Sequence, residues 1–463
     1  MRITPRRMKK KAAETTMVGR IAHSTAAHIL STGPGYAARL SIGRERTPPP
    51  QPTISRSHPR IRRSPRARRD VCATLMAMSS IVRAHSPSEF LALVPHLLGC
   101  TPRRSLAIVT FAAGRSLGAL RVDLPDTDSG ADIDSVASTV IGMACKVSRT
   151  DAIAVIVYTD RGLRDAIDLP HRHLVEALVA RADICGLRII DALVVGPDAW
   201  NCYLSDAADG PRPLDEIAPD PDLPPLPDVE GDQFAAAALP VLPDGEAAAV
   251  HRLLTDAQNL IARSREGKRL PARRRAAATL VLDDLADPPA LFEAFVAPDT
   301  DPDDRTVAAV AFCLQRPLLR DVALMQWVGD LATGDAAYGA QSAYAAGHPF
   351  PHDLARPMWG EGAEPDPPRL LRALERCRHV AAATPRAGRA GPLAACAWLA
   401  WATGRSTHAA AYADEALAIE PHHGLADIVR TLSGNGRLPE WVFDREPVTS
   451  PAGTGSSRES RDR

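Results

Sequence analysis

The sequence predicts an α/β unit with a mixed sheet covered by helices, followed by an all-α unit. Three observations carry this. Helical and strand periodicities alternate between Ile81 and Leu204. No strand pattern is found after Gly245. Between them lies the proline-rich "APDPDLPPLPDVEGD", whose extended backbone separates two units.

The first helix is read in "SPSEFLALVPHLLG". Ser86 is a cap, Glu89 follows three residues on, and apolar residues recur at helical spacing. Gly99 supplies the stop, and Pro102 prevents continuation. "SLAIVTF" and "SLGALRVDL" read as strands around the turn "AAGR", a hairpin. "DIDSVASTVIGMACKVS" reads as a helix. "DAIAVIVYT" is a continuous apolar strand of the kind buried on both faces. "PHRHLVEALVARADICG" is the next helix, "LRIIDALVVG" the next strand, and "AWNCYL" an edge strand.

In the second unit, "GEAAAVHRLLTDAQNLIARS" aligns Val250, Leu253, Leu254, Ala257, Leu260 and Ile261 on one helical face. Further helices are expected around Ala272–Leu285, Arg305–Leu314, Leu318–Leu331, Leu370–Ala382, Leu393–Ala402, Thr407–Ile419 and Leu425–Leu432. The expected division is a basic disordered tail at 1–77, the α/β unit at 79–215, a linker at 216–232, the helical unit at 233–443 and a second tail at 444–463.

The formal net charge of zero hides an asymmetry. Residues 1–70 hold 17 Lys/Arg against Glu14, Glu45 and Asp70, so the remainder is acidic. An acidic body argues against nucleic-acid contacts except through the tail, because phosphates need clustered Lys/Arg. Three readings of the tail compete: an interaction arm, a transit peptide, or translated upstream sequence with the native start at Met76 or Met78. The last is preferred, since capping and periodicity begin abruptly at Ser86.

Eight cysteines at irregular spacing, with no C-x-x-C, fit neither a zinc site nor a disulfide framework. Reduced thiols in a cytoplasmic protein are the simplest reading. The longest apolar stretch, from Gly391, falls short of the roughly 18 residues a membrane span needs. No phosphate loop, dinucleotide fingerprint, nucleophile elbow or zincin motif is found, so no cofactor and no metal are expected.

Two runs resemble a known family. "PHLLGCTPRRSL" at Pro95–Leu106 and "RVDLP" at Arg121–Pro125 are similar to the P-x-L-L-G-x-x-P-x-x-S-L and R-x-D-L-P runs of an actinobacterial family of uncharacterised proteins, domain of unknown function 4192. The late runs Leu399–Val429 and Leu438–Val442 also look like that family's C-terminal end, so the resemblance spans roughly Ile81 to Val442; it implies no activity. Relatives carry a Cys-rich turn after the edge strand. Here that run, "AWNCYLSDAADGPRPL", holds one cysteine, which speaks against a metal or redox role for it. The late "LAACAWLAWATGRSTHAAAYADEALAIEP" resembles a single tetratricopeptide-type hairpin, with Ala397, Ala409 and Ala416 at helix contacts, Gly404 at the turn and Pro421 at the stop.

Six residues are candidates for chemistry. Asp160 and Arg161 follow the central strand at its carboxyl end, the edge ligands prefer in open α/β sheets. Asp160 could be a base and Arg161 an anion holder; the plainer reading is a capping loop with a solvated pair. Arg121 and Asp123 share one strand face, as a site or as an edge ion pair. Arg103 and Arg104 stand beside a turn proline, to bind an anion or to hold the acidic body. His171 and His173 point apart on a helix and do not share an ion. His422–His423 are read as helix-end residues complementing the dipole. The preferred function is a non-catalytic protein binding a ligand or protein partner; the alternative is an enzyme acting on a small anionic substrate at the sheet edge.

Overall fold

A computed structural model describes residues 84–443, apart from 126–129, 206–209, most of 220–230 and 267–270. The expected tails, the native start and most of the 216–232 linker lie outside the described residues.

Helix α1 (Pro87–Leu98) starts where Ser86 accepts from the Glu89 amide at 3.2 Å, and the Glu89 carboxylate reaches back to the His85 amide at 2.7 Å. It ends at Gly99, whose φ of 70° is cheap for glycine. Strands β1 (Ser105–Ala112) and β2 (Arg115–Asp123) form the hairpin, turning through Ala113 and Gly114 at positive φ. Helix α2 (Gly130–Lys146), strand β3 (Ala152–Tyr158), helix α3 (Arg172–Ile184), strand β4 (Arg188–Val195) and strand β5 (Trp200–Cys202) follow.

The sheet order is β2-β1-β3-β4-β5. Only β3 and β4 are parallel, joined by α3 as a crossover. All seven β3 residues are buried, as a central strand with both faces covered requires. Side-chain alternation then sorts two cores. Leu91 and Val94 of α1 meet Ala107, Val109, Ala154, Ile156 and Leu193 on one face. On the other, α2 and α3 bring Val140, Ile141, Leu174 and Leu178 against Leu106, Ile108, Val155 and Val157.

The helical half comprises α4 (Asp244–Glu266), α5 (Ala272–Asp283), α6 (Pro288–Phe295), α7 (Asp304–Leu314), α8 (Pro317–Val328), α9 (Leu331–Ala345), the single turn α10 (His352–Ala355), α11 (Pro367–Ala383), α12 (Ala390–Ala402), α13 (Ser406–Ile419) and α14 (Gly424–Gly434). Three of these, α6, α9 and the single turn α10, escape the periodicity reading. In α6 the pair Pro288–Pro289 opens a helix rather than breaking one, because Asp287 caps the Ala290 amide at 3.1 Å and a first-turn proline has no orphaned donor to lose. The expected helix 318–331 divides at Gly329; Asp330 caps the Thr333 amide at 2.8 Å and starts α9.

Every residue of α12 is buried, so this helix forms the axis of the half. A Cβ on Gly391 would lie 2.2 Å from the Leu314 carbonyl oxygen, so glycine permits the close crossing of α12 over the end of α7. Small residues do the same between α12 and α13, where Ala397, Ala409, Ala413 and Ala416 are fully buried while Glu415 is exposed. The chain then returns to the sheet half, where Leu438 and Phe443 pack into the α2–α3 core.

Candidate functional site at the sheet edge

Strand register gathers the candidates. Ser105 pairs with Asp123 on one side and with Tyr158 on the other, so the end of β2, the start of β1 and the end of β3 share one edge. Arg103, Arg104, Arg121, Asp123, Asp160 and Arg161 all lie at it. Arg121 pairs with Ala107 and therefore sits on the α1 face.

Arg121 is the buried member, with a side chain only 10% exposed. Its guanidinium donates to Ser105 Oγ at 2.9 Å, to Asp123 Oδ1 at 2.7 Å and to Thr407 Oγ1 of α13. The pairing of Arg121 with Asp123 matches their shared face, but Arg121 does more than bridge an edge. It ties the two family-like runs to each other and to the helical half. Ser105 in turn donates to the Arg103 carbonyl at 2.7 Å.

The loop that carries the two arginines is fixed by its backbone. Thr101 donates to the Gly231 carbonyl at 2.9 Å. The Gln233 side chain accepts from the Arg103 amide at 3.0 Å and donates to the Arg103 carbonyl at 2.9 Å. His408 of α13 hydrogen-bonds the Gln233 backbone, and burial together with Arg405 and Arg378 pushes its imidazole down to about 4. Residues 231–233 are thus clamped between the arginine loop and α13. Arg104 takes φ 45°, a left-handed value that costs an ordinary side chain roughly 1–2 kcal/mol. Its carbonyl accepts from Leu124 at 3.0 Å, and its side chain approaches Asp160 at 3.9 Å. Arg103 stands 4.0 Å from Asp232.

The loop after β3 is held from β4's far end. Asp198 accepts from the Leu163 and Arg164 amides at 2.8 and 3.1 Å, and these bonds lower its pKa. Asp160 caps no helix, because α3 begins only at Arg172; the capping part of the plainer reading is therefore wrong. Both Asp160 and Arg161 are exposed. Behind the edge, burial raises the Tyr158 phenol and, against the opposing pull of Arg121, the Cys100 thiol.

The edge can therefore present charge, with guanidiniums in water on a fixed backbone and the carboxylates of Asp123, Asp160 and Asp232 among them. Gln233, Thr407, His408 and Asp198 shape it and carry no motif. Only contact with distant runs identifies them. An open groove of about 860 Å³ against α3, lined by Arg172, Glu176, Arg188 and Tyr203 among others, includes none of the six candidates.

The histidine readings divide. His171 holds the N-cap position of α3 in a left-handed conformation with its ring buried, while His173 stands exposed 3.5 Å from Glu176, so the two do not share a face. The dipole reading of His423 is overturned. It lies at the start of α14, not at the end of α13. Its Nδ1 accepts from the Ala426 amide at 3.3 Å and its Nε2 lies 3.2 Å from Arg320. Burial and Arg320 push it down to about 3, so it caps as a neutral ring. Among the described residues no cluster of His, Cys, Asp and Glu is suited to a metal ion, and no helix is long and apolar enough to cross a membrane.

No curated protein and no solved structure matches the chain. A family does: its match runs over residues 87–440, from the first turn of α1 to the final turn at Glu440, and takes in both halves and the arginine loop between them. The chain belongs to the family described as Domain of unknown function (DUF4192).

Proposed function

We propose that the protein is a non-catalytic binding protein whose sheet edge takes a small anionic ligand. One observation supports this above the others. Arg103 and Arg104 are held in water by a loop whose main chain is fixed on both sides by Gln233 and Gly231. Half-buried Asp232 stands 4.0 Å from Arg103 and exposed Asp160 stands 3.9 Å from Arg104, contacts of a surface kind worth at most about 1 kcal/mol each. A bidentate anion competes well against such partners. The left-handed Arg104 fits the same reading, since strain at an exposed arginine is retained where its direction matters.

The test is thermal melting of the full chain with inorganic phosphate and with citrate. A dose-dependent rise in Tm is expected for at least one of them, and it should vanish in Arg104→Gly. That variant suits the left-handed backbone, so its own stability should match or exceed the parent's by up to about 1 kcal/mol. Equal shifts in parent and variant would rule out the arginine loop as the binding element.

The second reading, an enzyme acting on a small anionic substrate, is supported by the placement of Asp160 beside Arg104 at the end of β3. It requires that Asp160→Asn abolish turnover of a substrate while leaving anion binding intact.

A further inference from the structure

We propose that Cys145 and Cys185 form a reversible dithiol–disulfide pair on the outer helical layer of the sheet half, oxidised by a low-molecular-weight disulfide. Cys145 is the penultimate residue of α2, and Cys185 is the C-cap of α3. The two helices pack side by side over the same sheet face, which brings their C-terminal ends together. These ends lead into the paired starts of the parallel strands β3 and β4, and the Cys185 thiol lies beside that of Cys145. Both residues are exposed, whereas Cys100, Cys313, Cys377 and Cys396 are buried and Cys202 is half-buried with its thiol turned to Asp191 at 3.2 Å. Among the described cysteines, this is the place where a reagent from solvent meets two thiols at once.

Burial, and next the Cys185 thiol beside it, raise the Cys145 pKa, so the resting pair is a dithiol. In the first step one cysteine, as its thiolate, attacks a sulfur of the small disulfide. A mixed disulfide forms, and one small thiolate leaves with the electron pair of the broken S–S bond. In the second, the neighbouring cysteine loses its proton to solvent and attacks the protein sulfur of that mixed disulfide. The Cys145–Cys185 bond forms and the second small thiolate leaves. The two protons released by the cysteines end on the two small thiols. One small disulfide is reduced, and two protein thiols are oxidised. The second step outruns a second external attack because the resolving thiol is held beside the mixed disulfide.

The test treats the full chain with oxidised glutathione, blocks remaining thiols with iodoacetamide, and maps digested peptides by mass. The expected product is a peptide pair joined through Cys145 and Cys185, reversed by dithiothreitol. Prior treatment with phenylarsine oxide, which chelates adjacent dithiols, should prevent it. In Cys145→Ser, Cys185 should instead accumulate as its glutathione adduct. Recovery of both wild-type cysteines as alkylated thiols, or each with its own glutathione, would overturn the proposal.

Discussion

Arg369, Arg372 and Arg376 of α11 turn inward. Arg369 grips the Glu293 carboxylate with bonds of 2.8 and 2.7 Å, Arg372 donates to the Val296 carbonyl at 2.8 Å, and Arg376 donates to the Phe295 and Thr300 carbonyls. These groups close the end of α6, where the dipole is negative and the carbonyls have no helical partner. Arg103 and Arg104, with side chains 66% and 64% exposed, stand instead beside Asp232 and Asp160 at 4.0 and 3.9 Å. Arg121 stands between the two uses, at the sheet edge in sequence but buried as a strut in the fold. Arginine type alone therefore says little about role. What separates the groups is whether a helix end or a chain crossing lies within reach.

The sharpest way to break this contrast is inside the helical half. Arg320 and Asp321 are both buried, and Arg320 donates to one Asp321 oxygen at 2.9 and 2.7 Å. Burial raises the Asp321 pKa while Arg320 opposes it. Arg320→Met leaves that carboxylate without its counter-charge and should cost about 3–5 kcal/mol in urea unfolding. Adding Asp321→Leu should recover much of the loss, because the pair's own net worth is small once desolvation is counted.

Acid should act next most strongly, through the buried rings. His408 and His423 titrate at about 4 and about 3 in the folded chain, both pushed down chiefly by burial, against about 6.5 when unfolded. The unfolded state thus binds more protons below pH 6.5. Their contribution is complete above that pH and is lost on acidification, at up to ~1.4 kcal/mol per pH unit for each ring. The loss levels off for His408 below about 4 and for His423 below about 3. His423→Asn keeps a capping acceptor but no titrating ring, so urea midpoints between pH 7 and pH 4 should fall less steeply in this variant. An unchanged slope would show that His423 does not take part.

Packing gives the smallest and most local comparison. Ala416 is fully buried in α13, which packs on α12 and α14, so Ala416→Leu should overpack that contact and cost roughly 1–3 kcal/mol. Glu415, one position away, is exposed, and Glu415→Gln should move stability by no more than about 0.5 kcal/mol. Thermal melts of the full chain check both. Equal melting of the two variants would place Ala416 outside the contact.

Local chemistry was the legible part of this fold. Ser86, Glu89 and Gly99 bound α1 as their types predict, and the unbroken apolar run 152–158 is the central strand. The α6 and α9 helices were hidden because prolines and glycines that normally punctuate are here absorbed by Asp caps and by close packing. At the edge, the alternation of Arg121 and Asp123 predicted their shared face, and strand-end reasoning placed Asp160. Gln233 and Thr407 could not be found that way. They meet Arg103 and Arg121 across 130 and 286 residues, and no local pattern encodes a contact of that span. The cysteine pair leaves no local signal for the same reason: C-x-x-C spacing spans one turn, whereas Cys145 and Cys185 stand at the ends of two helices.

The return of Leu438–Phe443 to the first core has a consequence for biosynthesis. Phe443 fills the α2–α3 layer, its carbonyl accepts from the Ser148 amide at 3.4 Å, and Lys146 lies over its ring at 5.3 Å. A chain emerging from the ribosome holds the whole sheet long before it holds this residue. Until then the α2–α3 layer has an uncovered apolar seat, and closing it requires a contact of very high sequence separation, the slowest kind to form. Nascent chains stalled before Phe443 should present that seat to chaperones, and emergence of Phe443, rather than completion of the sheet, marks the point at which the first half can close fully.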